Sequence, residues 1–312
     1  MTSPESGTDG DPDVVVVGGG PAGSAAGVFT ARYGLDTVVF DRGKAALARC
    51  AFLANYPGFP AGIDIGTFTD LLHAHLEEAG ATHVEDTVEA VERTADDEGF
   101  VVDTQDGREV RTRAVVAAAW YDGSYLRPLD DEDGMFEEHD HHGEMEERFD
   151  PAYAGRDGRT PVDGLYVAAP NDGRNAQAIV SAGQGAHVAR SLIEDHREAH
   201  GYPAGVLAAH YDWLRPDSEF AGEWGDRDRW REWFENEAGD HDLEGERFEE
   251  LRERYIDEAF DTNLTDSRIE ARSDQGLERL LETIGQDRVL AALDDDRIRA
   301  YREASEGANS DE

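Results

Sequence analysis

The sequence predicts an α/β fold, and three observations predict it. Two apolar runs without alternation, Val14–Val17 and Thr37–Phe40, suit strands buried on both faces, as in a parallel sheet. A glycine-rich turn, Gly18-Gly19-Gly20-Pro21-Ala22-Gly23, separates the first run from a small-residue helix over Ser24–Tyr33 that Gly34 ends. Two further buried runs, Ala114–Ala119 and Gly164–Ala169, supply more strands of the same kind.

The first of these elements form a strand–turn–helix–strand unit, the setting in which G-x-G-x-x-G means something. Gly18 allows the tight turn, Gly20 lets backbone approach a pyrophosphate, and Gly23 lets helix and strand pack closely. A pyrophosphate then rests on the helix start, where free N–H groups and the macrodipole favour negative charge. Asp41 ends the second strand. Its carboxylate suits the ribose hydroxyls of an adenosine half and repels a 2′-phosphate, which disfavours NADP there.

Beyond this unit, Thr67–Ala79 reads as an amphipathic helix closed by Gly80. Short strands are expected over Val84–Glu92, Phe100–Thr104 and Glu109–Thr112, with turns at Asp97-Glu98-Gly99 and Asp106-Gly107. Residues 130–150 are acidic, contain histidines and are weakly patterned, so they read as a linker. Ser181–Glu198 reads as a helix. From residue 201 the character changes: Trp213, Trp224, Trp230 and Trp233 stand among charges, and Leu277–Ile284 and Val289–Tyr301 carry helical spacing. The expected organisation is a disordered leader over 1–12, a dinucleotide-binding domain over 13–200 and a helical, acidic C-terminal region over 201–312.

Charge bounds the partners. Asp and Glu number 70 against 29 Lys and Arg, a formal net charge of −41 over 312 residues. Such a chain repels nucleic-acid phosphate and anionic membranes, so neither is an expected partner. Lys44 is the only lysine. High acidity with almost no lysine fits a halophilic, haloarchaeal protein, because molar salt shortens the Debye length to roughly 3 Å. Cys50 stands alone, so no disulfide framework exists, and residues 1–13 are polar and acidic, unlike a signal peptide. No apolar run approaches a membrane span. A cytoplasmic location is the expectation.

Three stretches, in order, carry a resemblance: VVVVGGGPAGSAAGVFTARYGLDTVVFDRG, NYPGFPAGIDIGTFTDLLHAHLEEAGA and GRTPVDGLYVAAPNDGRNAQAIVSAGQGAHVARSLIED. They resemble the FAD domain of low-molecular-weight thioredoxin reductases, over roughly residues 13–195 with one interruption. The resemblance implies a Rossmann-like FAD/NAD(P)-binding domain in a three-layer ββα arrangement, here with a helical C-terminal appendage. It implies FAD as cofactor. It places Asn55 near the isoalloxazine, backbone groups of Val88 at the adenine, and Gln177 and Ala178 at the flavin's pyrimidine edge. Pro21, Ala22, Arg42 and Ala118 complete the expected contacts. The run Ser181–Gly185 is small enough for close approach of helix and cofactor.

The departures are as informative. The family's NADPH-binding domain would be inserted near residues 126–157, where only the acidic segment stands, and its Cys-x-x-Cys pair has no counterpart. The family mechanism therefore does not transfer. Ala169 and Pro170 occupy positions where the family carries Gly-Asp, and Asn171 or Asp172 would substitute after a small shift. The expected activity is FAD-dependent oxidoreduction, with electrons from a protein donor or from diffusible NAD(P)H. A homodimer is one candidate assembly. The competing reading is a non-catalytic flavin- or nucleotide-binding sensor or scaffold.

Three features have bland readings beside sharp ones. Cys50 stands in the loop approaching the flavin, where a low-pKa thiol would make a charge-transfer contact or a mixed disulfide; a small buried side chain is the favoured reading. His139, His141 and His142 read as a solvated loop before a metal cluster, because their spacing matches neither helix nor strand, so no metal is expected. The C-terminal tryptophans read equally as the core of a helical unit or as a surface for flavin or partner. Residues 274–301 only loosely match a helix-turn-helix, and the charge argues against DNA.

Overall fold

The computed structural model describes residues 10–43, 46–119, 123–130, 134–141, 144–168, 177–241, 243, 245–293 and 295–308. Among them, Val14–Val17 forms β1, Pro21–Tyr33 α1, Thr37–Phe40 β2, Ile65–Ala79 α2 and Thr82–Val84 β3. A small meander follows: β4 (Val88–Arg93), β5 (Phe100–Thr104) and β6 (Glu109–Thr112). Then come β7 (Ala114–Ala117), β8 (Phe136–His141), β9 (Glu144–Phe149), β10 (Leu165–Val167) and α3 (Ala178–Ala199).

The main sheet has the strand order β10-β7-β1-β2-β3, parallel throughout, with Val14 beside Thr37 on one side and Ala114 on the other. The alternation hidden in each apolar run separates two cores. Val15, Val17, Val38, Phe40, Val115 and Leu165 point to one face and pack against Val91, Phe100 and Val102 of the antiparallel β4-β5-β6 sheet. Val14, Val16, Val39, Val116 and Tyr166 point to the other face, against Ala26 of α1, Leu76 of α2 and Val188, Leu192 and Ile193 of α3. The layers are thus small sheet, parallel sheet and helices, an α/β Rossmann-like arrangement.

Glycine sets the closest helix contact. A Cβ on Gly185 of α3 would stand 1.9 Å from the Ala22 carbonyl oxygen of α1. The run expected to let a cofactor approach therefore also lets two helices approach at Gly185.

Beyond end shifts of one or two residues in α2, β7 and β10, four departures from expectation have a readable cause. First, α1 starts at Pro21 and not at Ser24, because proline's fixed φ and missing N–H suit a first helical position. Second, α3 starts three residues earlier than expected, at Ala178, with Gln177 as N-cap residue. Third, the single strand expected over 84–92 is two strands in different sheets. Buried Asp86 turns the chain: its carboxylate accepts the N–H groups of Thr87 and Asp106 and pairs with Arg108.

Fourth, the segment read as a linker holds the hairpin β8–β9, with Phe136 opposite Phe149. Those two rings meet edge-on at its base, and Asp130 accepts the N–H groups of Gly134 and Met135 to start it. Acidic strands without apolar alternation gave no period-2 signal. The side chains of His139 and His141, and all of His142, lie outside the described residues.

The helices after residue 200 are α4 (Arg227–Ala238), α5 (Gly245–Asp261), α6 (Asp266–Ile284), α7 (Gln286–Ala292) and α8 (Asp295–Ala308). The chain divides into two compact units, up to Asn263 and from Leu264 onward. Within the first, Tyr202, Leu207, Phe234 and Leu251 make a third core. Arg197 of α3 is buried between the Tyr33, Tyr202 and Tyr255 rings, donates to the Leu207 carbonyl and pairs with Glu258 of α5 at 2.8 Å. Trp230 is buried among Phe220, Trp224, Trp233 and Phe260 and donates to the Trp224 carbonyl, so it serves a local core. Trp213 is exposed. In the second unit, α6 and α7 bury no residue.

No helix among the described residues is long and apolar enough to cross a membrane.

Candidate functional site

A cavity of about 440 Å³ opens at the C-terminal ends of β1, β2 and β7, where open parallel sheets place ligands. Its floor is the Gly18–Ala22 turn. The hydrogen bonds Gly18 N–H to Phe40 O (2.7 Å) and Ala118 N–H to Val17 O (2.9 Å) hold the turn against β2 and the end of β7. Gly18 has φ +114°, which a side chain rarely adopts, and a Cβ there would press on the Ala118–Ala119 backbone at 3.0 Å. A Cβ on Gly23 would lie 1.7 Å from the Gly18 carbonyl oxygen. The first and third motif glycines are thus dictated by backbone approach.

Two helix N-termini face this cavity. α1 begins with Pro21 and has Gly20 as N-cap residue; α3 begins with Ala178 after Gln177. Neither cap residue's side chain bonds a helical N–H, and neither first turn holds an acidic residue. In a chain with 70 acidic residues, two acid-free helix starts at one cavity leave two positive dipole ends for anionic groups.

At the mouth, Asn55 Nδ2 donates to Gln177 Oε1 at 2.8 Å, joining residues 122 positions apart. The wall between them is the loop of residues 46–55, including Leu47, Cys50, Phe52 and Leu53. It is held by the reciprocal backbone pair Leu53–Ile63. Cys50 lines the cavity and is exposed, so the expectation of a buried thiol is corrected: the apolar wall here comes from Leu47 and Leu53, and the thiol faces the open space.

Asp41 lies at the other end. It is buried, and its backbone is clamped by Val84 O and by the N–H of Asp86. Oδ1 accepts the Gly43 N–H at 3.0 Å, and Oδ2 lies 3.5 Å from His73 Nε2. Burial pushes this carboxyl up, but the His73 imidazole and the Gly43 N–H outweigh it and hold Asp41 below the usual carboxylate range. It is therefore ionised at neutral pH.

The cavity gathers Gly18, Gly20, Pro21, Ala22, Asp41, Arg42, Asn55, Ala118, Gln177 and Ala178 of the expected set. Val88 does not line it: its side chain is in the core between the two sheets. Asn171 and Asp172 lie outside the described residues. Sequence reasoning named Ser181 in the small-residue run and missed Gly19, Leu47, Phe52 and Leu53. Gly19 had a readable signal, since the motif leaves that position free and glycine still occupies it. A Cβ there would strike the Asp41 side chain at 2.6–2.8 Å. Phe52 had none, because its place depends on the Leu53–Ile63 pairing.

Comparison with known proteins adds a direction. No protein-family model matches the chain. The thioredoxin reductase of Aquifex aeolicus (strain VF5) is 34% identical over 109 residues, 34% of this chain and 33% of that protein. The thioredoxin reductase of Streptomyces clavuligerus is 34% identical over 120 residues, 38% of this chain and 36% of that protein. Over that third, the chain is homologous to thioredoxin reductases. It spans about a third of the length of the curated relatives it matches. A solved thioredoxin reductase from Gloeobacter violaceus superposes with a TM-score of 0.49 at 18% identity, covering 66% of this chain and 98% of that one. That score is too low to establish a shared fold, so the fold rests on the sheet order and layers above.

Proposed function

We propose that this chain is an FAD-dependent oxidoreductase resembling the FAD half of thioredoxin reductase. The observation that carries the reading is the Asn55–Gln177 hydrogen bond at a cavity that two acid-free helix starts face. Binding an ADP half needs only the glycine turn and Asp41. A pair on the far side of the cavity, beside the second helix start, suits the ring of a flavin.

Bound FAD supplies the redox chemistry. The chain's own residues bind and orient it. Gly18, Gly20, Pro21 and Ala22 present backbone and the α1 dipole to the pyrophosphate, and Gly23 lets α1 close on the Gly18 carbonyl. Asp41 accepts the ribose hydroxyls, and Arg42 and Ala118 flank that half. Asn55, Gln177 and Ala178 would hold the pyrimidine edge of the flavin, and the α3 N-terminus would favour negative charge there. Val88, Asn171 and Asp172 remain in the proposal as contacts implied by the family resemblance. Leu47, Phe52 and Leu53 exclude water from one side. Electrons enter from a protein donor or from NAD(P)H that binds and leaves, and Cys50 is not needed for their transfer.

The visible spectrum of the protein in molar salt tests this. Flavin bands that bleach with NADH or NADPH establish a diffusible reductant. Bands that bleach with a ferredoxin-type donor establish a protein one. Absence of flavin bands after FAD is added rejects the proposal. Two observations favour a second reading, a flavin- or nucleotide-binding sensor or scaffold: the chain has one cysteine, and Ala169-Pro170 stand where the family carries Gly-Asp. Bands that bleach with dithionite alone would support that reading.

A further inference from the structure

Beside the dinucleotide end of the cavity stands a cluster the flavin reading does not use. Asp41 follows β2, His83 lies in the neighbouring edge strand β3 opposite Val39, and His73 lies on α2. His73 is one turn before the fully buried Leu76, so the packing of α2 carries it over the strand ends. Each residue offers one ligand atom, and the three lie within 4.8 Å of one another. The imidazole rings stand 4.0 Å apart at 32°. Nε2 of both histidines is shut off from solvent; that of His83 has no hydrogen-bond partner, and that of His73 has only the Asp41 carboxylate oxygen at 3.5 Å. A buried imidazole nitrogen without a partner is costly, and two together at a buried carboxylate need a reason.

The structure assigns one: we propose that Asp41, His73 and His83 bind a divalent transition-metal ion of the Zn²⁺ class, and that the ion and the dinucleotide ribose compete for Asp41. The second half rests on the dinucleotide reading above; the first does not. Two imidazoles and a carboxylate are the donors such an ion takes, with a fourth position left for water. Ligand atoms around tetrahedral zinc lie about 3.3 Å apart, given bonds of about 2.0–2.1 Å. The His73 Nε2–Asp41 Oδ2 edge is already 3.5 Å. The remaining edges close by side-chain rotation.

The surroundings favour a cation. Asp70 acts on His73, and Glu77 and Glu85 act on His83. A metal ion would take a lone pair from each buried imidazole nitrogen and from the carboxylate at once.

The test is titration of the nucleotide-stripped full chain with Co²⁺, then Zn²⁺, in molar KCl, which screens the many surface carboxylates. The expected result is one Co²⁺ per chain with intense visible bands of a low-coordinate site, displaced by Zn²⁺. His73→Gln and His83→Gln should each weaken binding on the order of a hundredfold. Weak octahedral bands, or equal binding by wild type and both variants, would place the ion on surface carboxylates and overturn the site. If a variant does not fold, X-ray absorption of the zinc-loaded wild type decides: two imidazole shells uphold the site, and oxygen-only ligation overturns it. Excess ADP should weaken Co²⁺ binding about tenfold or more. ADP that binds without weakening Co²⁺ overturns the competition. ADP that fails to bind, with histidine-dependent Co²⁺ binding intact, overturns the dinucleotide reading and upholds the ion site.

Discussion

Gly19 shows how closely the site is drawn at the scale of single residues. The fingerprint assigns it no role, yet its missing side chain is the space that the Asp41 carboxylate fills. Gly19→Ala should displace that carboxylate and weaken FAD or ADP binding about tenfold or more, roughly the 1.4 kcal/mol of one good charged hydrogen bond. Fluorescence titration of the stripped protein measures it. Unchanged affinity would show that Asp41 does not hold the ribose. Cys50 is the opposite case. It lines the cavity, but it is the only thiol in the chain and has no partner cysteine for disulfide exchange. Cys50→Ser should leave the flavin spectrum and turnover as they are; a lost long-wavelength band would restore a charge-transfer role.

At the scale of elements, the two helices whose starts face the cavity are set by one another. Gly185→Ala puts a methyl group 1.9 Å from the Ala22 carbonyl, so α1 and α3 must part. The expected cost is about 3 kcal/mol in urea unfolding, with flavin retention falling alongside, because both dipole ends move. An unchanged midpoint would mean that α3 shifts freely.

The helices α4 and α5 depend on charge as well as packing. Arg231 grips Glu253 with two bonds of 2.8 Å, and Arg252 adds a third at 3.1 Å. These donors hold the Glu253 carboxyl down to about 2, against an ordinary 4.5. A lowered folded value means stabilisation present above pH 4.5 and lost as pH falls from there through 2. Glu253→Gln should therefore cost below about 1 kcal/mol at pH 7, since the carboxylate is partly exposed and screened. The difference from wild type should vanish as pH approaches 2. A constant difference across that range would assign the effect to packing.

For the whole molecule the governing quantity is the net charge of −41. Many arginines are already paired, as in the Arg159 cluster with Asp157, Glu194 and Asp195, so the surplus is carboxylate without a cation. Self-repulsion then opposes the compact state unless salt screens it. Raising KCl from about 0.1 M to about 2 M should raise Tm by about 10 °C, because the Debye length falls from roughly 10 Å to below 3 Å. Circular dichroism measures it. A Tm that is flat or falls with salt would remove the halophilic reading.

The local features of this protein were legible in its sequence. Apolar runs of three or four residues are long enough to cross a parallel sheet, and helix ends carry glycine, so β1, β2, β7, β10 and the C-terminus of α1 followed from composition and period. The place of the turn glycines and of Asp41 at the cavity was legible too, because a tight turn between strand and helix and a strand-end carboxylate are short-range features. Only the tertiary structure decided what depends on long-range meeting. It split residues 84–92 between two sheets at Asp86, paired an acidic hairpin through Phe136 and Phe149, and brought Asn55 to Gln177. It also carried His73 and His83 to Asp41, a cluster no spacing announces. The physical reason is common to all of these. Propensity and period act within a turn of helix or a length of strand, whereas a site assembled from separate elements is set by how their buried faces dock.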